Sequence, residues 1–254
     1  IADILHQCGG YIGCERGLYQ FRGHHERKIQ GRIQREQPVW AQVCASIKHI
    51  GVSLGAGMRI TAEHWLDAAR HCPSPYFNVR PDGEMSLTVI HNISLPPRPL
   101  RGPYIEQLFL GQLAPDVHPY FAEIYQLEVS AQLLIRRDGE IVQFVAFDQR
   151  AWHAGRSQYL GRENCNDFSI GIELEGCDEL PFDDRQYEML TTVIKTLWEH
   201  YPACAGRLIG HSDIAPGRKT DPGPFFDWHL LQQSLASRAG QQIDSLVLSG
   251  RAST

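Results

Sequence analysis

Three sets of residues in this chain have types and spacings that could do chemistry. His91 and His211 each close an apolar run, and Asp221 follows His211 by ten residues in GHSDIAPGRKTDPGP. Catalytic zinc takes three protein ligands from His and Asp/Glu and keeps a fourth position for water. Imidazole nitrogens suit it, and a carboxylate offsets part of the dipositive charge. Pro216, Pro222 and Pro224 each fix φ and can hold such a loop rigid. Taken alone, His91 reads more readily as a hydrogen-bonded core histidine than as a ligand. The second set, Gly51-Val52-Ser53-Leu54-Gly55, is a literal G-x-S-x-G, the elbow that lifts a nucleophilic serine above a strand-to-helix turn. Its surroundings lack any period, and Gly57 interrupts the helix that should follow. The third, His211-Ser212-Asp213, has the letters of a triad. Adjacent residues project in different directions, however, and cannot form a nucleophile–base–orienter chain with one another.

Strand and helix signals would have to position these groups. Ser86–Asn92 is a β-branched apolar run that predicts a buried strand. Ala131–Arg136 and Glu140–Val145 flank Arg137-Asp138-Gly139, a hairpin signal, and Phe168–Leu174 predicts another strand. Helices are predicted over Tyr104–Gly111 and Pro115–Leu127, and from a Thr61 N-cap through Glu63, Trp65 and Leu66. Asp183–Tyr201 is the strongest helix, with Tyr187, Leu190, Val193, Ile194, Leu197 and Trp198 at helical spacing. A short strand over Arg207–His211 then leads through the Gly/Pro-rich loop to a helix near Asp227–Ala239. Strands mixed with helices, one hairpin included, predict an α/β fold with a mixed central sheet flanked by helices.

Composition narrows the class. At 254 residues, 43% hydrophobic and 21% charged, the chain is ordinary globular protein and long enough to build a core without staples. Lys+Arg 24 against Asp+Glu 29 gives a net charge of −5 and a pI near 6.2, which argues against a nucleic-acid partner. No run reaches the roughly 20 apolar residues of a membrane span. Seven scattered cysteines without C-x-x-C indicate neither a disulfide framework nor a cysteine zinc site, and point to a reducing, cytoplasmic setting. The chain divides near Met58. Residues 1–57 carry seven Lys/Arg against four Asp/Glu and no sustained period, and are expected to be an appendage without chemistry of its own. Residues 58–239 form the expected domain, and 240–254 a tail.

Five blocks, in order, carry a resemblance to a known family. VIHNISLPP (Val89–Pro97), SAQLLIRRDGEIVQFV (Ser130–Val145), AWHAG (Ala151–Gly155), CNDFSIGIELEG (Cys165–Gly176) and GHSDIAPGRKTDPGP (Gly210–Pro224) resemble the AmpD-type N-acetylmuramoyl-L-alanine amidases. These belong to a zinc amidase group that also contains phage amidases and peptidoglycan-recognition proteins. The resemblance runs from about Trp65 to Trp228. It implies a Zn2+ site of His91, His211 and Asp221, the dispersed trio above. It also implies that Glu173 takes and returns the proton of the attacking water, and that Lys219 stabilises the tetrahedral oxyanion. Asn92 and Trp152 match positions lining the substrate cleft, and His153 stands beside them as a support or substrate contact.

The activity so implied is zinc-dependent hydrolysis of the amide between (1,6-anhydro-)N-acetylmuramic acid and L-alanine in small muropeptides, during cytoplasmic cell-wall recycling. Loss of that activity in such relatives leads to β-lactamase induction. Envelope-acting or phage-type cleavage of polymeric peptidoglycan, and a non-catalytic peptidoglycan-binding module, are the alternatives. Three positions depart from the family pattern. Glu128 stands where arginine is usual, Gln132 where histidine is usual, and Asn164 where a basic residue is usual, so substrate preference is left open.

Overall fold

The computed structural model describes residues 57–97 and 100–237. The G-x-S-x-G at Gly51–Gly55, nearly all of the expected appendage and the 240–254 tail lie outside the described residues. Among the described residues no helix is long and apolar enough to cross a membrane.

A six-stranded mixed sheet organises the domain. Its strands are β1 (Arg70–His71), β3 (Leu87–Ile93), β4 (Leu133–Ile135), β5 (Ile141–Gln143), β9 (Ser169–Glu175) and β10 (Leu208–Gly210), in the order β1-β5-β4-β9-β3-β10. Only the β4–β5 hairpin is antiparallel; Gly139, at φ 88°, closes its turn in the left-handed region that glycine occupies freely. The central pair explains why the sequence reads as continuous apolar runs. A parallel strand covered on both faces must be apolar on both, and every residue of β9 and all but Asn92 of β3 are buried.

Helices cover the two faces. On one lies α3 (Asp184–His200), whose Tyr187, Leu190, Val193, Ile194 and Leu197 meet Ile90, Leu133 and Ile172 of the sheet. Gln186 fastens it. Its Oε1 accepts from the Asp183 N–H at the helix start, and its Nε2 donates to the carbonyls of Ile135 and Glu175. The helix α5 (Trp228–Ala236), capped by Asp227, belongs to the same layer. On the other face α1 (Tyr104–Phe109) and α2 (Pro119–Ile124) bury Phe109, Phe121 and Ile124 against Leu134, Val142 and Phe144. From β3 the chain crosses by α1 and α2 to β4; from β9 it crosses by α3, in the opposite direction along the sheet, to β10. Crossovers diverging in this way open a crevice at the carboxyl ends of parallel strands.

Two expected helices differ. Around Thr61 the chain makes a closed turn, with Thr61 N–H donating to the Trp65 carbonyl at 2.7 Å and His64 in the left-handed region at φ 63°. That backbone cannot propagate a right-handed helix. Leu66 instead enters the core, its N–H donating to Gln143 Oε1 at 2.6 Å. The helix expected to start at Pro115 begins at Pro119, because His118 supplies the cap: its Nδ1 accepts from Tyr120 N–H at 3.1 Å. The short pairs β2–β6 (Phe77–Val79 with Gln149–Ala151) and β7–β8 (Gln158–Tyr159 with Arg162–Glu163) have too few residues to show a period.

Two polar clusters brace the loops. Arg80, only 2% exposed, donates to the carbonyls of Phe147, Asn166, Asp167 and Ser169. Arg80→Met leaves those carbonyls unsatisfied, so a loss of about 3 kcal/mol is expected, read as a lower urea midpoint at unchanged m. Glu106 lies between Arg70 and Arg136. The hydrogen bond from Arg70, opposed by burial and joined by Arg136, holds its carboxyl below the usual range. That contribution is present above the unfolded glutamate pKa of about 4.3 and is lost as pH falls below it. Glu106→Gln is therefore expected to be less stable than the wild type at pH 7, with the gap closing as pH falls through the lowered folded-state pKa of Glu106.

Candidate metal and catalytic site

The carboxyl ends of β3 and β9, and the turn after β10, meet at one point. Parallel register sets His91 of β3 directly beside Glu173 of β9. Gly210 ends β10 and His211 opens α4 (His211–Ile214), with Asp213 Oδ2 accepting the Gly210 N–H at 2.8 Å. Asp213 thus caps a turn, and the adjacent His211-Ser212-Asp213 set forms no triad. The loop beyond returns Asp221 to the histidines, its carbonyl accepting from Ser212 N–H at 2.9 Å.

The three expected ligands come together. His91 Nδ1 lies 2.9 Å from His211 Nδ1, and each nitrogen lies 3.0 Å from Asp221 Oδ2. All three residues are buried, and together they form a cluster able to hold a metal ion. Their chemistry fits one. Ligands at about 2.0–2.2 Å around a tetrahedral zinc stand about 3.3 Å apart, a few tenths wider than this triangle. His211 Nε2 faces the Ala154 carbonyl at 3.0 Å, an oxygen that can only accept, so the proton is on Nε2 and the Nδ1 lone pair points at the cluster. Burial and then the His211 charge push the His91 pKa down to about 4, which leaves the neutral imidazole that binds metals. For Asp221 burial works the other way, but the two histidines beside its Oδ2 prevail and hold the carboxyl ionised.

Glu173 is the unusual member. It shares β9 and a sheet face with Glu175, and both are buried. Glu175 is satisfied: it accepts from the backbone of Arg101 and Arg137 and pairs with Arg136. Glu173 Oε2 is buried with no hydrogen-bond partner among the described residues. Burial first, and the Asp221 charge second, push its pKa well above the usual range, with Lys219 opposing. An uncompensated buried carboxyl costs stability, and such groups concentrate at sites of chemistry. Lys219 lies on the same pocket wall, 8% exposed.

Asn92, Trp152 and His153 also line this pocket. Asn92 Nδ2 donates to Asp178 Oδ1 at 2.7 Å and to the Pro222 carbonyl at 3.1 Å. Trp152 Nε1 donates to Asn78 Oδ1 at 2.8 Å, and its ring stacks on Tyr76. His153 stands behind His91 rather than at the mouth, its Nδ1 2.9 Å from His91 Nε2. Sequence reasoning missed Asp178, which also accepts from Thr220 Oγ1 and so joins the two lips of the cleft. Gly223, at φ +88°, was its one visible signal, since a Cβ there would stand 2.4 Å from Asp178 Oδ1. Of the three departing positions, Gln132 is wholly buried and links strands, accepting from Gly171 N–H and donating to the Gln149 carbonyl. Asn164 is at φ 58°, before the 3-10 turn Cys165–Asp167. Glu128 is exposed and outside the pocket lining.

Residues 81–224 match the family described as N-acetylmuramoyl-L-alanine amidase. The chain is 58% identical over 180 residues to the 1,6-anhydro-N-acetylmuramyl-L-alanine amidase AmpD of Enterobacter cloacae, covering 70% of this chain and 96% of that protein. It is 61% identical over 165 residues to the Escherichia coli K12 protein of the same name, covering 65% and 90%. A crystal structure of a selenomethionine AmpD derivative superposes with a TM-score of 0.67 at 58% identity, covering 68% of this chain and 97% of that one.

A cluster of this composition is expected to take up a divalent cation and to gain stability by mass action, about 4 kcal/mol at a thousandfold excess over Kd. Zinc should raise the thermal midpoint of chelator-treated protein. Asp221→Ala should abolish that rise, and full metal occupancy in the variant would refute the ligand set.

Proposed function

The chain belongs to the N-acetylmuramoyl-L-alanine amidase family, and we propose that it hydrolyses the amide joining 1,6-anhydro-N-acetylmuramic acid to L-alanine in small muropeptides. The relatives named for that reaction support the anhydro-sugar substrate, since they match this chain over most of their own length. The observation that carries the chemistry is the unsatisfied Glu173 carboxyl on the strand paired with His91.

We assign the metal as zinc, held by His91 Nδ1, His211 Nδ1 and Asp221. When bound there, zinc supplies Lewis acidity toward a carbonyl oxygen and lowers the pKa of water. The remaining work belongs to the chain. Glu173 removes a proton from the water attacking the lactyl carbonyl and delivers it to the L-alanine nitrogen as the C–N bond breaks. The Lys219 ammonium steadies the negative charge on the tetrahedral oxygen. Asn92 and Trp152, both on the pocket wall, orient sugar and peptide. Asn92 does so from a lip already anchored by Asp178, so little of its freedom remains to be lost on binding.

The cytoplasm is the compartment we assign, as the site of muropeptide recycling. The described cysteines, Cys72, Cys165, Cys177 and Cys204, are all free, in keeping with a reducing setting.

Incubation with anhydro-muramyl tripeptide, followed by mass spectrometry, tests the activity. Separate release of sugar and peptide, lost with chelator and restored by zinc, is expected. Cleavage of polymeric peptidoglycan alone would move the protein to an envelope-acting role, and binding without cleavage would make it a recognition module. Glu173→Gln is expected to lower kcat at least a thousandfold with KM little changed, and Lys219→Met to lower kcat a hundredfold or more. A Glu173→Gln enzyme within tenfold of wild type would remove Glu173 from the proton transfer.

A further inference from the structure

The proton on each ring nitrogen around the site can be traced from groups whose roles admit no choice. A backbone carbonyl only accepts. Ser169 Oγ lies 2.6 Å from the Cys165 carbonyl, so the single hydroxyl proton is committed there. The same oxygen lies 3.3 Å from His153 Nε2 and can only accept from it, which places the His153 proton on Nε2 and leaves Nδ1 bare. His153 Nδ1 lies 2.9 Å from His91 Nε2, so His91 is the donor and its own Nδ1 is bare. That nitrogen is the one turned toward His211 and Asp221. We propose that His153 is a positioning residue: its unprotonated Nδ1, set by Ser169, locks His91 in the tautomer that presents Nδ1 to the metal.

The surroundings hold His153 for this role. The side-chain oxygen of Asn166 accepts from two consecutive backbone N–H groups, His153 at 3.1 Å and Ala154 at 2.8 Å. One amide oxygen therefore stands behind the acceptors of both ligating histidines, since the Ala154 carbonyl serves His211 Nε2 in the same way. The His153 ring lies flat against bare backbone of β9, where a Cβ on Gly171 would come within 2.5 Å of its Cγ. Arg80 donates to the carbonyls of Asn166 and Ser169, tying together the two residues that orient His153. Metal-ligating histidines are generally aimed by the acceptor on their second nitrogen, and losing that acceptor typically lowers affinity 10–100-fold. Here the acceptor is another histidine, which serves only in one of its two tautomers.

The proposal rests on the metal assignment of His91, His211 and Asp221, and two measurements on the full chain separate the two. The first is ring-nitrogen NMR of the zinc-loaded protein labelled at histidine. His153 is expected to be protonated on Nε2 alone, with His91 and His211 protonated on Nε2 and carrying metal-shifted Nδ1 signals. A proton on His153 Nδ1 overturns the proposal without any variant having to fold. The second is zinc affinity by chelator competition. His153→Phe should weaken binding 10–100-fold, and His153→Asn, whose Oδ1 can replace the Nδ1 acceptor, should recover to within about threefold of wild type. Ser169→Ala should weaken binding in the same direction, by less. The thermal midpoints of the metal-free proteins should not follow that order. Wild-type affinity in His153→Phe, with zinc still bound by the native protein, overturns this proposal alone. A native protein that takes up no zinc overturns the metal assignment and the proposal with it.

Discussion

The pairing of β3 with β9 is the constraint on which the rest depends. Seven consecutive register pairs, from Leu87 with Ser169 to Ile93 with Glu175, run through the middle of the sheet. They force His91 and Glu173 to share one face at one height. Strands buried on both sides tolerate polar groups only where something compensates them. Each polar side chain carried by this pair thus becomes informative. Thr88 and Ser169 sit low on the strands; His91 and Glu173 sit where the crossovers diverge. The same burial that stabilises the sheet strips water from the site, and so strengthens every charge interaction there.

Compensation is distributed unevenly along β9, and the unevenness separates structure from chemistry. Glu175 receives two backbone N–H groups and an arginine, the usual treatment of a buried structural acid. Glu173, two residues earlier, has a carboxyl oxygen with no hydrogen-bond partner among the described residues. The fold therefore carries an electrostatic cost at one position that it removes at the next equivalent one. Around the proposed ligands the opposite holds, because both outer histidine nitrogens are satisfied and only the inner ones converge.

Much of this was legible in the sequence, for physical reasons that differ by element. The run Leu87–Ile93 and the helix Asp184–His200 declared themselves through burial on two faces and on one face respectively. His91, His211 and Asp221 could be picked out by type and placement, though only the resemblance to amidases raised them above a plausible spacing. The helix expected at Thr61 failed because a left-handed His64 is a tertiary choice, held by its 2.6 Å contact with Tyr201, and no local signal encodes it. The supports were equally hidden. Asn166, Ser169 and Arg80 act through single hydrogen bonds to backbone far away in sequence, which neither period nor motif reveals. Gly171 inside a strand was the visible trace, and its meaning, room for the His153 ring, required coordinates.

The position of β10 at the edge of the sheet has a consequence for the order in which the protein is made. His91 emerges early, on a strand that pairs near the centre, whereas His211 and Asp221 both follow the last strand to join. A nascent chain that stops short of Leu208 can already contain every other strand of the sheet, yet it holds one of the three proposed ligands. The proposed ligand set is thus complete only once Asp221 has been made and β10 can dock beside β3. A shorter chain carries only part of the proposed ligand set.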